Sequence, residues 1–200
     1  MLINCRSLTG ARRQSDLALA VALAILYLVL AIRQNIWCWA AAAVSTLLYL
    51  FIMYRAGLYM ESALQLFYLA MAAYGWYQWR RGGADHAGVR VTTWPWRSHL
   101  LAAAVVFALV FASGFLLERY SDAALPFADA FTTWAAVVAT WMVARKILEN
   151  WIYWFVIDSV SVYLYLSREL YFTAALFVAY LVMIVFGYRS WRRSMLEQGA

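Results

Sequence analysis

Charge is scarce in this chain: Asp, Glu, Lys and Arg supply 13% of its 200 residues, against about 25% in an ordinary soluble domain. Cysteine and histidine are scarcer still, at two each. Cys5 and Cys38 cannot build a disulfide scaffold or a thiolate zinc site, and His86 and His99 leave little with which to hold a metal. Low-complexity sequence is absent, and so are the short alternating strands of an outer-membrane barrel. Apolar residues fill the space, at 66% of the chain where about 45–50% is usual. A soluble domain of this size leaves roughly 30% of its unfolded surface exposed, so it could not hide them. The apolar residues are spread evenly, which excludes a soluble head on one anchor. An integral membrane protein is implied, with function resting on its few polar residues.

A bilayer core asks for about 20 apolar residues per helix, and seven stretches approach that: 17–32, 36–54, 58–79, 99–117, 123–144, 151–166 and 170–188. The first is short and follows Arg12 and Arg13, as a signal peptide would, but it leads straight into a continuous bundle and is read as a span. Trp37, Trp39, Trp76, Tyr77, Trp79, Trp94, Trp96 and Trp191 crowd the span ends as an interfacial belt. With seven spans the termini face opposite sides. The amino-terminal side holds six basic residues (Arg6, Arg12, Arg13, Arg55, Arg119, Arg168). The other holds ten (Arg33, Arg80, Arg81, Arg90, Arg97, Arg145, Lys146, Arg189, Arg192, Arg193). The larger count belongs in the cytoplasm, so the carboxy terminus is expected inside. No nucleic acid is needed to explain the positive excess.

The chain also repeats itself. Residues 58–81 and 170–193 match at 11 of 24 positions at an offset of 112, including Tyr59/Tyr171, Tyr68/Tyr180, Gly75/Gly187 and a closing Trp-Arg-Arg. At an offset of 115 the preceding spans begin alike, Asn35 and Trp39 standing against Asn150 and Trp154. The expected plan is an all-α, seven-helix, 3+1+3 parallel repeat within one transmembrane domain. A first three-helix repeat covers 17–79, a linker helix 99–117 and a second repeat 123–191. SWEET transporters share this arrangement, with substrate near mid-bilayer.

A carboxylate at mid-membrane costs about 2.5–3.5 kcal/mol on insertion scales and turns toward the bundle interior. Asp158 sits near the middle of its span. Trp151, Trp154, Asp158, Ser161 and Tyr165 fall within about 80° of one another at 100° per residue. Two further stripes are Glu61, Gln65, Tyr68 and Ala72, and Asp129, Thr132, Thr133, Ala136 and Thr140. Indole faces attract flat or cationic ligands, and amides read polar edges. No cation lies within two turns of Asp158 in its own span, which disfavours a phosphorylated ligand. Against this, Trp37 and Trp79 also suit interface anchoring, Gln65 helix–helix hydrogen bonding, and Asp129 and Glu61 a shallow interfacial role. Asp158 is the hardest to read as structural, and a proton relay is its main functional rival. His86 lies in a hydrophilic loop and His99 at a span edge, so no catalytic set emerges. An enzyme is not expected, and no cofactor is implied.

The run ARKILENWIYW over 144–154, with Asp158 a turn later, resembles the signature of the PnuC-type vitamin transporters. So do Gly57-Leu58-Tyr59 through Leu64-Gln65 to Tyr74-Gly75-Trp76-Tyr77-Gln78-Trp79, and Pro126-Phe127 followed by Asp129. The resemblance covers spans two to seven. It implies a SWEET-like bundle in a bacterial inner membrane and facilitated uptake of an unphosphorylated vitamin. Nicotinamide riboside comes first, with thiamine or riboflavin as alternatives. It also implies a homotrimer and a cytoplasmic kinase that traps the vitamin. Residue by residue, it places the substrate site on Gln65, Asn150, Trp151, Trp154 and Asp158, with the two indoles stacking on the ring. Proton-coupled transport and a non-transporting scaffold are the rival classes.

Overall fold

Long runs of Leu, Ala, Val and Phe in lipid can satisfy their backbone polar groups only along a helix. The computed structural model is helical accordingly, and it describes residues 19, 21–55, 59–120, 125–167 and 169–198. Seven helices lie among these residues: α1 Val21–Ile32, then α2 Trp37–Arg55, α3 Tyr59–Arg81, α4 Trp96–Tyr120, α5 Pro126–Ala144, α6 Asn150–Ser167 and α7 Tyr171–Gln198. The start of the first expected span lies outside the described residues, as do Cys5, Arg6, Arg12, Arg13, Arg168 and the side chain of Glu61. Helix α7 outruns its apolar stretch and carries Trp191, Arg192 and Arg193 beyond it.

Among the described residues, three helices are by length and composition able to cross a membrane: α4, α5 and α7, with mean hydropathies of 2.7, 1.3 and 2.0. Helix α1 and the Trp37–Ile52 part of α2 are apolar but shorter. Helices α3 and α6 carry the polar groups singled out above, Gln65 in one and Asn150 and Asp158 in the other.

The chain divides into two compact units, Met1–Gly88 and Val89–Ala200. In the first, α2 packs on α3; in the second, α5 packs on α4 and α6, and α6 on α7. The core of the second unit is built from Val106 and Val110 of α4, Ala130, Ala135, Ala136 and Ala139 of α5, and Ile157 of α6. Alanines along α5 let its neighbours approach closely. The Trp134 indole N–H donates to Ser113 Oγ at 3.0 Å and joins α5 to α4.

The α1–α2 turn and the α5–α6 turn have one geometry, residue for residue at an offset of 112. Arg33 N–H donates to the Val29 carbonyl at 3.2 Å, as Arg145 does to Trp141 at 3.1 Å. Asn35 N–H reaches Leu30, as Ile147 reaches Met142, both at 2.9 Å. Cys38 N–H reaches Asn35, as Asn150 reaches Ile147, at 3.0 and 3.1 Å. Gln34 and Lys146 take the same left-handed conformation, with φ of 53° and 51°. The packing repeats as well. Trp39 lies on Gly75 and meets Trp79 at 5.5 Å and 86°, while Trp151 lies on Gly187 and meets Trp191 at 5.4 Å and 90°.

This corrects the offset of 115 expected for these helices. Trp39 corresponds to Trp151 and not to Trp154, and Asn35 corresponds to Ile147 and not to Asn150. The shared asparagine misled because it has a different use in each place: the Asn35 side chain caps α2, accepting from the Trp37 N–H at 3.0 Å.

A side chain in the left-handed region costs roughly 1 kcal/mol, and glycine adopts it freely but loses more chain entropy on folding. Gln34→Gly is therefore expected to raise stability by roughly 0.5 kcal/mol. A thermal melt in detergent checks this, and a lowered midpoint would count against the conformation.

Candidate functional site

The turn at 145–149 delivers Asn150 and Trp151 into the interior of the second unit at the start of α6. The Asn150 side chain is fully buried, and its Nδ2 donates to the Ile147 carbonyl at 2.6 Å. Its Oδ1 has no hydrogen-bond partner among the described residues. Trp151 is also buried, wedged against Gly187 and the edge of Trp191, and its indole N–H likewise lacks a partner. Each such unmade bond costs about 1–3 kcal/mol, which is tolerated most readily where another molecule completes it.

Trp154 follows, half-buried against the α4–α5 core. Asp158 comes one turn later, 5% exposed, and no hydrogen bond or ion pair to it occurs among the described residues. Ser161, on the same face, turns its hydroxyl back to the Ile157 carbonyl at 2.9 Å.

Four of the five expected site residues therefore share one buried face of α6. Gln65 is half-buried on α3, in the first unit. The α5 stripe fares differently, because its hydroxyls are taken up by their own helix. Thr132 donates to Ala128 and Asp129, Thr133 to Asp129, and Thr140 to Ala136. Among the described residues no cluster of His, Cys, Asp and Glu is suited to a metal ion.

Sequence reasoning missed an aromatic group beside this face. His99 Nδ1 and the Tyr153 hydroxyl are 3.0 Å apart, and Trp94 packs on both His99 and Trp141, at 5.4 and 5.6 Å. The Trp94-Pro95-Trp96 run was a signal for it, read only as an interfacial belt. Reading Trp39 as the partner of Trp151 required one constant offset across the whole repeat.

Apolar helices with a buried carboxylate, a buried amide, one buried indole and one half-buried indole along one face define a polytopic membrane protein, and comparison with known proteins narrows that class. The family described as nicotinamide mononucleotide transporter matches residues 17–193, and the chain belongs to it. The riboflavin/roseoflavin transporter RibM of Streptomyces davaonensis is 32% identical over 174 residues, 84% of this chain and 80% of that protein. The nicotinamide riboside transporter PnuC of Escherichia coli is 23% identical over 174 residues, 74% of this chain and 73% of its own. A crystal structure of the vitamin B3 transporter PnuC has the same fold, with a TM-score of 0.70 at 23% identity, over 90% of this chain and 81% of that one. The protein is a membrane transporter and not an enzyme.

Proposed function

We propose that the chain mediates facilitated uptake of nicotinamide riboside across a bacterial inner membrane, binding it through Gln65, Asn150, Trp151, Trp154 and Asp158. The observation that carries this reading is Asp158, a carboxylate 5% exposed with no cation beside it among the described residues. Burying an unpaired charge is costly, and the pyridinium of nicotinamide riboside supplies the missing positive partner. Trp154 offers an aromatic surface to the ring. Trp151 takes a different part from the stacking expected of it. Its benzo ring is occupied by Gly187 and Trp191, so its free N–H donates, while Asn150 Oδ1 accepts from a ribose hydroxyl or the carboxamide. Gln65, in the first unit, is assigned to the site by the resemblance alone. The mononucleotide of the family description is disfavoured, because α6 contains no Lys or Arg to meet a phosphate.

The repeated turn supports a 3+1+3 parallel plan, as in SWEET transporters. The carboxy-terminal side, with its larger basic count, faces the cytoplasm. There a kinase would trap the vitamin by adding charge, since a passive carrier alone only equilibrates. A homotrimer, implied by the resemblance, completes the reading.

Riboflavin is the second candidate, favoured by the higher identity to RibM. Calorimetric titration with nicotinamide riboside, thiamine and riboflavin separates the three, and nicotinamide riboside is expected to bind tightest. Tightest binding of riboflavin would replace the proposed ligand. In reconstituted vesicles, uptake is expected to stop at the external concentration with or without a pH gradient. Accumulation above it under a gradient would instead establish proton coupling.

A further inference from the structure

The segment 89–95 is tied to the turn that delivers the site residues. Thr92 pairs in parallel with Ile147. Its N–H donates to the Lys146 carbonyl at 3.1 Å, and its own carbonyl accepts from the Leu148 N–H at 2.8 Å. Two residues on, the Trp94 N–H donates to Glu149 Oε2 at 3.3 Å. Val91, just before, is buried, and its N–H reaches Gln198 Oε1 at 3.3 Å. The residue enclosed by these bonds is Ile147, whose carbonyl receives both the backbone N–H and the side-chain Nδ2 of Asn150, at 3.1 and 2.6 Å. The strap therefore fixes the two peptide groups that flank Ile147, and the second of them contains the carbonyl that orients the Asn150 amide.

The first unit serves as an internal control. Its turn at 33–36 makes the same backbone bonds and takes the same left-handed residue. Yet among the described residues no extended segment pairs with it. Among the described residues, then, this turn carries no strap. At the positions of Asn150 and Asp158, the first unit has Cys38 and Thr46. The strap is present in the repeat that carries the amide and the carboxylate.

We infer that Thr92, through its backbone, and Glu149, through its carboxylate, are positioning residues that hold the 145–149 turn so that Asn150 presents Oδ1 to the ligand. This rests on reading Asn150 as a ligand contact. Four substitutions in the full chain test it. Thr92→Pro removes the N–H, whereas Thr92→Val keeps it; Glu149→Ala removes the acceptor, whereas Glu149→Gln keeps one. Two quantities are read: hydrogen exchange of amides 146–151 without ligand, and calorimetric affinity for whichever of nicotinamide riboside and riboflavin the unaltered chain binds.

Thr92→Pro and Glu149→Ala are expected to speed exchange and to weaken binding about tenfold or more, while Thr92→Val and Glu149→Gln match the unaltered chain in both. The Glu149 pair carries the test alone if the proline variant does not fold. Faster exchange with unchanged affinity would overturn the inference, and so would unchanged exchange. Asn150→Ala separates the two levels. Normal binding by that variant would overturn the role given to Asn150, while the exchange data still report whether the strap holds the turn.

Discussion

Asp158→Asn is expected to weaken nicotinamide riboside binding at least tenfold while leaving the unfolding temperature unchanged or higher. Two unit charges about 4 Å apart interact by about 4 kcal/mol at an effective dielectric of about 20. Losing even a third of that is about 1.4 kcal/mol, or tenfold in affinity. Without ligand the sign reverses. Asp158 is 5% exposed and unpaired among the described residues, so the ionised carboxyl opposes folding, and a neutral amide of the same shape relieves that cost. Calorimetry paired with thermal unfolding in detergent reads both directions. Binding at the original strength would contradict the role given to the charge. A joint fall in affinity and melting temperature would make Asp158 a structural residue. For neutral riboflavin the same substitution has a much smaller effect on affinity.

Gly187→Ala is the second large effect, and here local propensity and packing oppose each other. In a helix interior, alanine is favoured over glycine by about 1 kcal/mol. At this position, however, the added Cβ would stand 2.5 Å from Cη2 and Cζ3 of Trp151. The indole has no room to retreat, since Trp151 is 2% exposed and Trp191, perpendicular to it, is 0% exposed. Overpacking costs about 1–3 kcal/mol or more, so packing prevails. The melting point should fall by several degrees, at about 2–4 °C per kcal/mol, and uptake should fall with it because Trp151 and its neighbour Asn150 are displaced. Gly75→Ala meets Trp39 in the same way and should destabilise the first unit while leaving the 145–149 turn intact. A Gly187→Ala chain as stable as the original would refute the lock.

The helices were legible because their cause is crude: apolar runs of bilayer length, broken where basic and aromatic residues gather. Asp158 stood out for the same reason, as a carboxylate with nothing near it in sequence to justify its cost. Repeat geometry was half legible. Aligned Tyr, Gly and Trp residues gave the offset of 112 for α3 and α7. For α2 and α6 a chance match of asparagines outweighed it, because the equivalent residues Cys38 and Asn150 share burial and not chemistry. The strap was illegible, since it is made by the backbone of Thr92, a residue whose side chain is exposed. The threonines of α5 misled for a related reason: a hydroxyl on a helix can bond to its own backbone one turn back, and the sequence does not distinguish that from one awaiting a ligand.

That a buried acid holds a positively charged vitamin is tested directly by one titration. The purified chain would be titrated with nicotinamide riboside and with its dihydro form, which keeps the ribose and carboxamide but has no ring charge. The cation is expected to bind at least tenfold more tightly. Equal affinity for the two, or preference for the neutral form, would contradict it.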